Sequence, residues 1–331
     1  SLDISNFNTE NVIDMSYMFS ECSNLNELNV IKFDTNKVLN MSHMFEDCSK
    51  IKSLDLSKFS TNNVQDMSSM FQYCNSLSSL ILDYSRFVTS KVKNMTKMFQ
   101  YCGLLEEINI DNFDTSNVED MSFMFDECKS LKKLNIQKFN TKKVINLSHM
   151  FNLCSKITSL DVSNFNTEKV EDMSYLFRGL KLVPIIDVSN FDTSKVTDMS
   201  YMFSECSTIT KLDISKFITS KVRDMKHMFE HVSKVDYLKL DNFDTSKVED
   251  MSFLFQYCTK LTSIDVSKFN TENVNEMSSM FQCCDSITSL DLSNFNTKNV
   301  EFMTNMFQGS YKIASLDISS FDTNKVMDMN R

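Results

Sequence analysis

The chain lacks several features on which common protein classes depend. It contains no Trp, one Pro and three Gly among 331 residues. It has no GxSxG nucleophile motif, no glycine-rich phosphate loop and no HExxH zinc motif. No apolar run approaches the roughly 18 residues of a membrane-spanning helix, and no basic run offsets the net charge of −10. We therefore expect no catalytic function, no cofactor, no nucleic-acid partner and no membrane span.

A 26-residue repeat organises what is present. Phe recurs at this spacing from Phe7 to Phe321, with one step of 28 residues between Phe59 and Phe87. Thr stands two residues after each Phe, and Val stands three residues after each Thr. Repetition at a fixed period is typical of a solenoid, in which each unit packs only on its neighbours. We expect one repeat array over residues 1–331, an excerpt of a longer protein that shows no capping units.

The unit from Leu25 to Cys48 shows the expected local structure. Its first part has the L-x-x-L-x-V pattern that is typical of a leucine-rich repeat strand. Asp34-Thr35 then suggests a helix start, with Thr favoured as the N-cap and the preceding Asp or Asn as the rival. The following apolar residues have the spacing of one face of a three-turn helix, namely Val38, Met41, Met44, Phe45 and Cys48.

These units predict an α/β fold, a leucine-rich-repeat-like solenoid of about 13 units of 26 residues. Helices are about 10 Å wide, whereas parallel strands lie about 4.8 Å apart. The sequence therefore predicts parallel strands on the concave face and helices on the convex face. Repeated Met, Phe and Cys positions should fill the core. We expect the cysteines to be reduced, because neighbouring helices about 8–10 Å apart exceed the reach of a disulfide, about 7 Å.

Two places depart from the regular pattern. Residues 83–86 contain the two extra residues of the 28-residue step, and we expect them to form a bulge between strand and helix. The only proline, Pro184, suits the entry to a strand better than its middle.

Two rows of side chains are candidate binding surfaces. One follows the outward strand position and is mostly acidic, and its binding candidates are Asp161, Asp187, Asp213, Asp265, Asp291 and Asp317. Such a row is open to three interpretations: a recognition surface, a Ca²⁺ site, or a solvated face whose carboxylates bond nearby Ser or backbone groups. The other row lies on the outer helix face and includes Tyr175 and Tyr201. It predicts either a partner surface or ordinary covering of the helix backs.

The histidines give a weak indication of metal binding. His227 and His231 stand four residues apart, which would place both on one face of a helix. Zinc sites require more ligands than this pair supplies, so we predict no metal site.

The units LDVSNFNTEKVEDMSYLF and LDLSNFNTKNVEFMTNMF resemble the BspA-like leucine-rich repeat surface proteins, also described as mycoplasma lipoprotein-associated repeats. The resemblance covers essentially the whole chain and carries no catalytic residues. It implies a non-catalytic protein of the cell surface or extracellular space that binds host or matrix proteins or other cells. Another copy of the chain itself is a further expected partner. The alternative is a structural spacer or a subunit of a filament or coat. No wall anchor or lipobox is present in the sequence.

Overall fold

The computed structural model describes residues 2–330, so Ser1 and Arg331, where the expected excerpt begins and ends, lie outside the described residues. The chain divides into two compact units, Ser1–Phe165 and Asn166–Arg331. In both units the 26-residue repeat forms one coil of backbone that stacks on the next coil. We describe each coil by two parts, the strand side and the turn side.

The strand side contains short parallel strands. In the first unit β1 (Ser53–Asp55) pairs with β2 (Ser79–Ile81), with Leu54 opposite Leu80. In the second unit β3 (Ser289–Asp291) pairs with β4 (Ser315–Asp317), with Leu290 opposite Leu316. Elsewhere on the strand side, residues 2–330 have two single parallel bridges, Glu107 with Lys133 and Ile185 with Lys211. Strand-side pairing is parallel where it occurs, as predicted, but most successive coils lack it and the strands have only three residues each.

The turn side replaces the helices that the sequence predicts. Residues 2–330 contain no helix, so the expectation of helices on a convex face is wrong. In the coil that contains β1, the apolar stripe lies in an eight-residue turn segment, residues 67–74. Its local backbone hydrogen bonds join residues three apart, such as Met70 N–H to the Met67 carbonyl (3.3 Å), rather than four apart as in an α-helix.

Backbone groups of the turn segment bond to the next coil instead. The N–H groups of the first, third, fifth and seventh residues donate to carbonyls one coil ahead. Ser69 N–H, for example, donates to the Thr96 carbonyl at 2.8 Å, and Phe71 N–H donates to the Met98 carbonyl at 3.0 Å. These bonds hold successive coils together at a spacing that a helix about 10 Å wide does not permit.

Left-handed backbone makes this arrangement possible. The third and seventh residues of the turn segment have positive φ, as at Ser69 (54°) and Tyr73 (59°). Such a conformation costs a residue other than Gly about 1–2 kcal/mol, and the bonds between coils offset that cost. Glycine takes the seventh place at Gly179 and Gly309.

The core contains the repeated apolar side chains, as the sequence predicts. Phe71, Met67 and Cys74 are fully buried. The Phe71 ring stacks on Phe45 and Phe99, with centroids 5.7 and 5.4 Å apart. All ten cysteines are free thiols, in agreement with the prediction that they are reduced, but the reason given for it is wrong because residues 2–330 contain no helices to separate them. Burial raises the pKa of Cys48, Cys206 and Cys284 to about 12 in each case.

The recurring Thr joins coils and caps no helix. Thr193 is fully buried, its Oγ1 donates to the Ile218 carbonyl at 2.9 Å, and the same oxygen accepts from Ile218 N–H at 2.7 Å. The rival N-cap residue, such as Asp192, accepts instead from the N–H two residues later, here at Ser194 (2.9 Å). Both N-cap predictions are wrong, because these side chains organise turns and bonds between coils.

Candidate functional site

The acidic row lies on the strand side, with its side chains exposed to solvent. Each predicted carboxylate accepts from the backbone N–H two residues later, at 3.0 or 3.1 Å, and the carboxylates concerned are Asp161, Asp187, Asp213, Asp265, Asp291 and Asp317. Asp213 and Asp317 also accept from the Ser hydroxyls of Ser215 (2.7 Å) and Ser319 (2.6 Å). The row is therefore a set of carboxylates in fixed orientations, bonded to nearby Ser groups as one interpretation predicts.

In Asp213 and Asp291, for example, these hydrogen bonds favour the ionised form of the carboxylate. The Ser215 hydroxyl and then the Ser215 N–H lower the pKa of Asp213, because both donate to the ionised form. The same two donors from Ser293 lower the pKa of Asp291, and the neighbouring charges of Asp317 and Asp265 oppose this effect. The strand side of the second unit thus presents a row of negative charges at neutral pH, which Lys239 interrupts between Asp213 and Asp265.

The described residues, 2–330, contain no group of three or more His, Cys, Asp or Glu side chains that would hold a metal ion. The two histidines of the predicted pair stand in separate stacks. His227 lies between Tyr201 and Phe253, with both centroid distances 4.2 Å, whereas His231 stacks on Tyr257 at 4.3 Å.

The aromatic row forms a stacked column on the turn side of the second unit. Tyr175 and Tyr201 stack with centroids 4.3 Å apart, and the Arg178 guanidinium lies 5.9 and 5.8 Å from their centroids. Both tyrosines are half-buried. The prediction that they lie on the outer face of a helix is wrong, because these residues form turns. Because the facing ring surfaces cover one another, the column offers solvent mainly its ring edges and hydroxyls.

A second polar row on the turn side has no counterpart among the predicted sites. It consists of the residue two places after each recurring Val, and in the second unit it includes Asp198, Asp224, Asp250 and Glu276 in successive coils. Asp224 accepts from Lys226 N–H at 2.9 Å, yet burial raises its pKa. The row was visible in the sequence as an acid or amide at that place in twelve of the thirteen units.

A separate row of buried polar side chains, three amides and one carboxylate, occupies the sixth place of successive turn segments in the first unit. The Gln72 amide donates to Gln100 at 2.5 Å, Gln100 donates to Asp126 at 2.6 Å, and Asn152 donates to Asp126 at 2.7 Å. These bonds join side chains one coil apart, so they stabilise the stack.

The chain belongs to the family described as Mycoplasma protein of unknown function, DUF285. The pattern of this family matches residues 1–107, 103–183, 154–237 and 229–331. The chain is a repeat protein in which the family pattern recurs from end to end. No curated protein matches its sequence. No helix among residues 2–330 is long and apolar enough to cross a membrane.

Several solved structures are similar to the chain. A leucine-rich repeat protein from Bacteroides ovatus is 14% identical, with 90% of this chain and 79% of that chain covered and a TM-score of 0.32. An internalin from Listeria monocytogenes is 16% identical, with 85% and 78% covered and a TM-score of 0.26. A leucine-rich repeat protein from Leptospira interrogans is 12% identical, with 94% and 84% covered and a TM-score of 0.25.

Proposed function

We propose that the chain is a non-catalytic binding scaffold that engages a protein partner through the acidic row. One observation carries this proposal: six exposed Asp side chains recur at one strand-side position and are held by hydrogen bonds to groups two residues later. A carboxylate whose orientation is already fixed loses little freedom when it bonds a partner. A partner with basic side chains at a matching spacing would be attracted to this surface.

The resemblance to BspA-like proteins supports a finer proposal, a cell-surface or secreted protein that adheres to a host or matrix protein or to another copy of itself. The half-buried column at Tyr175 and Tyr201 is a second proposed contact, made through ring edges and hydroxyls.

The 26-residue spacing continues unchanged from Phe139 through Phe165 to Phe191. We therefore propose a single array, which limited proteolysis would contradict by cutting preferentially near residue 165.

The experiment for the acidic row uses surface plasmon resonance. The whole chain is immobilised, and purified fibronectin, laminin and collagen are the probes, with the chain itself as a further probe. We expect one of them to bind, and we expect Asp213→Asn, Asp265→Asn and Asp291→Asn in combination to weaken that binding at least 10-fold. Asn retains the oxygen that accepts the local hydrogen bond, so only the charge is removed.

A matched control replaces three charges on the turn side, in Asp198→Asn, Asp224→Asn and Asp250→Asn. Equal losses in both triple variants would contradict a specific role for the strand side. Tyr175→Phe with Tyr201→Phe keeps the stack and removes the hydroxyls, so unchanged binding would remove this column from the proposal. Labelling of intact cells with an antibody to the chain tests the surface location.

A further inference from the structure

The two-residue insertion at residues 83–86 follows β2 on the strand side of the first unit. β2 pairs with β1 on one side, whereas in the coil after β2 Glu107 pairs onward with Lys133. Among the described residues, no bridge joins β2 to the coil that contains Glu107. Most other successive coils also lack a strand-side bridge, so the opening here is marked by the insertion itself and by Leu80 and Ile108, which are half-buried at the position where Leu54 is buried.

Tyr84 lies across this opening and is held there. Its hydroxyl donates to the Asn109 carbonyl at 2.5 Å. On the other side the Arg86 guanidinium donates to the Lys58 carbonyl at 3.1 Å. Asp83 accepts from Ser85 N–H at 3.0 Å and from the Ser85 hydroxyl at 2.7 Å, which fixes the turn. Burial, and then the Asp111 charge, raise the pKa of Tyr84, so its hydroxyl keeps its proton at neutral pH.

The opening forms a groove of about 460 Å³. This volume falls within the range of small-ligand sites, about 300–1,000 Å³. The lining side chains that matter most for its chemistry are Ser79, Tyr84, Glu107, Asn109, Lys133 and Asn135. They provide hydrogen-bond donors and acceptors on both walls, with one aromatic ring between them.

We propose that this groove binds a neutral oligosaccharide. Sugar hydroxyls both donate and accept, and they match a lining that mixes amides, hydroxyls, a carboxylate and an ammonium group. The Tyr84 ring offers an apolar surface to a sugar ring. The carboxylates of Glu107 and Asp111 disfavour an anionic ligand. A peptide anchored by apolar side chains would find only the half-buried Leu80 and Ile108.

This site goes beyond the proposed protein partner, and it lies in the first unit at other residues. The experiment uses the whole chain and four neutral probes: maltotriose, cellotriose, mannotriose and chitotriose. Saturation-transfer NMR detects binding, and calorimetry measures the affinity. We expect at least one trisaccharide to bind, and we expect Tyr84→Ala and Glu107→Ala each to weaken it at least 10-fold. Deletion of residues 84–85 restores the 26-residue spacing and should abolish binding.

Tyr237→Ala is the matched control, because Tyr237 is a 53% exposed tyrosine on the strand side of the second unit. Its affinity should equal that of the unaltered chain. Circular dichroism identifies any variant that does not fold, and Glu107→Gln then replaces it as a milder change. The proposal is overturned if no trisaccharide binds, if the groove variants bind as well as the control, or if the extended peptide Gly-Ser-Gly-Ser-Gly-Ser binds in their place. Those outcomes do not test the proposal for the acidic row, which the combined Asp213→Asn, Asp265→Asn and Asp291→Asn variant tests separately.

Discussion

The turn side and the strand side of a coil use their backbone in different ways. On the turn side, alternate N–H groups of the segment donate to the next coil, and most side chains of the segment are buried, as in residues 67–74. On the strand side of residues 2–330, paired strands form only at β1–β2 and at β3–β4, and many side chains face solvent. The comparison indicates that the turn side supplies most of the cohesion between coils. The strand side contributes fewer backbone hydrogen bonds between coils.

The largest expected effect comes from opening a cavity on the turn side. Phe203 is fully buried and stacks on Phe177 and Phe229, with centroids 5.7 and 6.1 Å apart. Phe203→Ala should lower the free energy of unfolding by about 3–5 kcal/mol, as measured by urea denaturation. Lys216→Ala, at an exposed strand-side position, should change it by less than about 0.5 kcal/mol. Comparable losses in both variants would contradict the unequal roles of the two sides.

A smaller effect is expected from the Thr contacts between coils. Thr193→Val keeps the shape of the buried side chain and removes both bonds to Ile218, which leaves the part-buried Ile218 carbonyl and N–H without that partner. The expected loss of stability is about 1–3 kcal/mol. Thr197→Val is the control, because Thr197 Oγ1 donates to the Glu171 carbonyl at 3.1 Å in an exposed position. If the control loses as much as Thr193→Val, burial is not the cause.

Thiol chemistry separates the buried and exposed cysteines. At pH 8 iodoacetamide should label Cys22 and Cys283, which are half-buried, many times faster than Cys48 or Cys206. The thiolate is the reactive form, and a pKa of about 12 leaves few thiolates at Cys48 and Cys206 at that pH. Mass spectrometry of labelled peptides measures the rates. In guanidinium chloride all ten cysteines should react alike. Similar rates for all ten in the native chain would contradict the burial of Cys48 and Cys206.

The smallest expected effect is a pair of opposite carboxylate titrations. Asp213 on the strand side has a lowered pKa, whereas burial raises the pKa of Asp224 on the turn side. The Asp213 contribution to stability is present above its unfolded-state pKa and is lost as the pH falls through the lower folded value. Ionisation of Asp224 instead costs stability, and this cost disappears as the pH falls through its raised value.

Carboxyl NMR measures both midpoints directly. Ser215→Ala removes the largest cause of the Asp213 shift, so the Asp213 midpoint should rise while that of Asp224 stays unchanged. A titration midpoint of Asp213 above that of Asp224 would contradict the lowered pKa on the strand side and the raised pKa on the turn side.

Much of the core could be predicted from the sequence, because the period of the repeat assigns each apolar residue to a column. The nature of the turn side could not be predicted from the apolar stripe. Val, Met, Met, Phe and Cys at i, i+3, i+6, i+7 and i+10 suit both one face of a helix and a series of stacked turns. The Asp-Met-Ser sequence at residues 66–68 gave a contrary indication. An Asp side chain that bonds the N–H two residues later, here Ser68 at 2.8 Å, competes with a helix.

The candidate sites, too, were predicted in part from the sequence and in part require the structure. The acidic row was visible as one repeated position, but only the structure places its carboxylates on donors two residues later. The aromatic column was visible as well, whereas the contact of its ring faces follows from the close stacking of coils. The groove at Tyr84 was visible only as two extra residues. The side chains that line it come from three coils, and spacing along one coil cannot bring them together.

By itself, the sequence determined the 26-residue period, the identity of the core columns and the exposure of the acidic row. Local pattern suffices for these features, since identical units bury and expose the same positions. Tertiary structure alone decided between helix and turn. The N–H groups of the turn segment find their acceptors one coil away, so the positive φ values become affordable only when coils stack. That choice depends on contacts about 26 residues apart, which no window along a single unit contains.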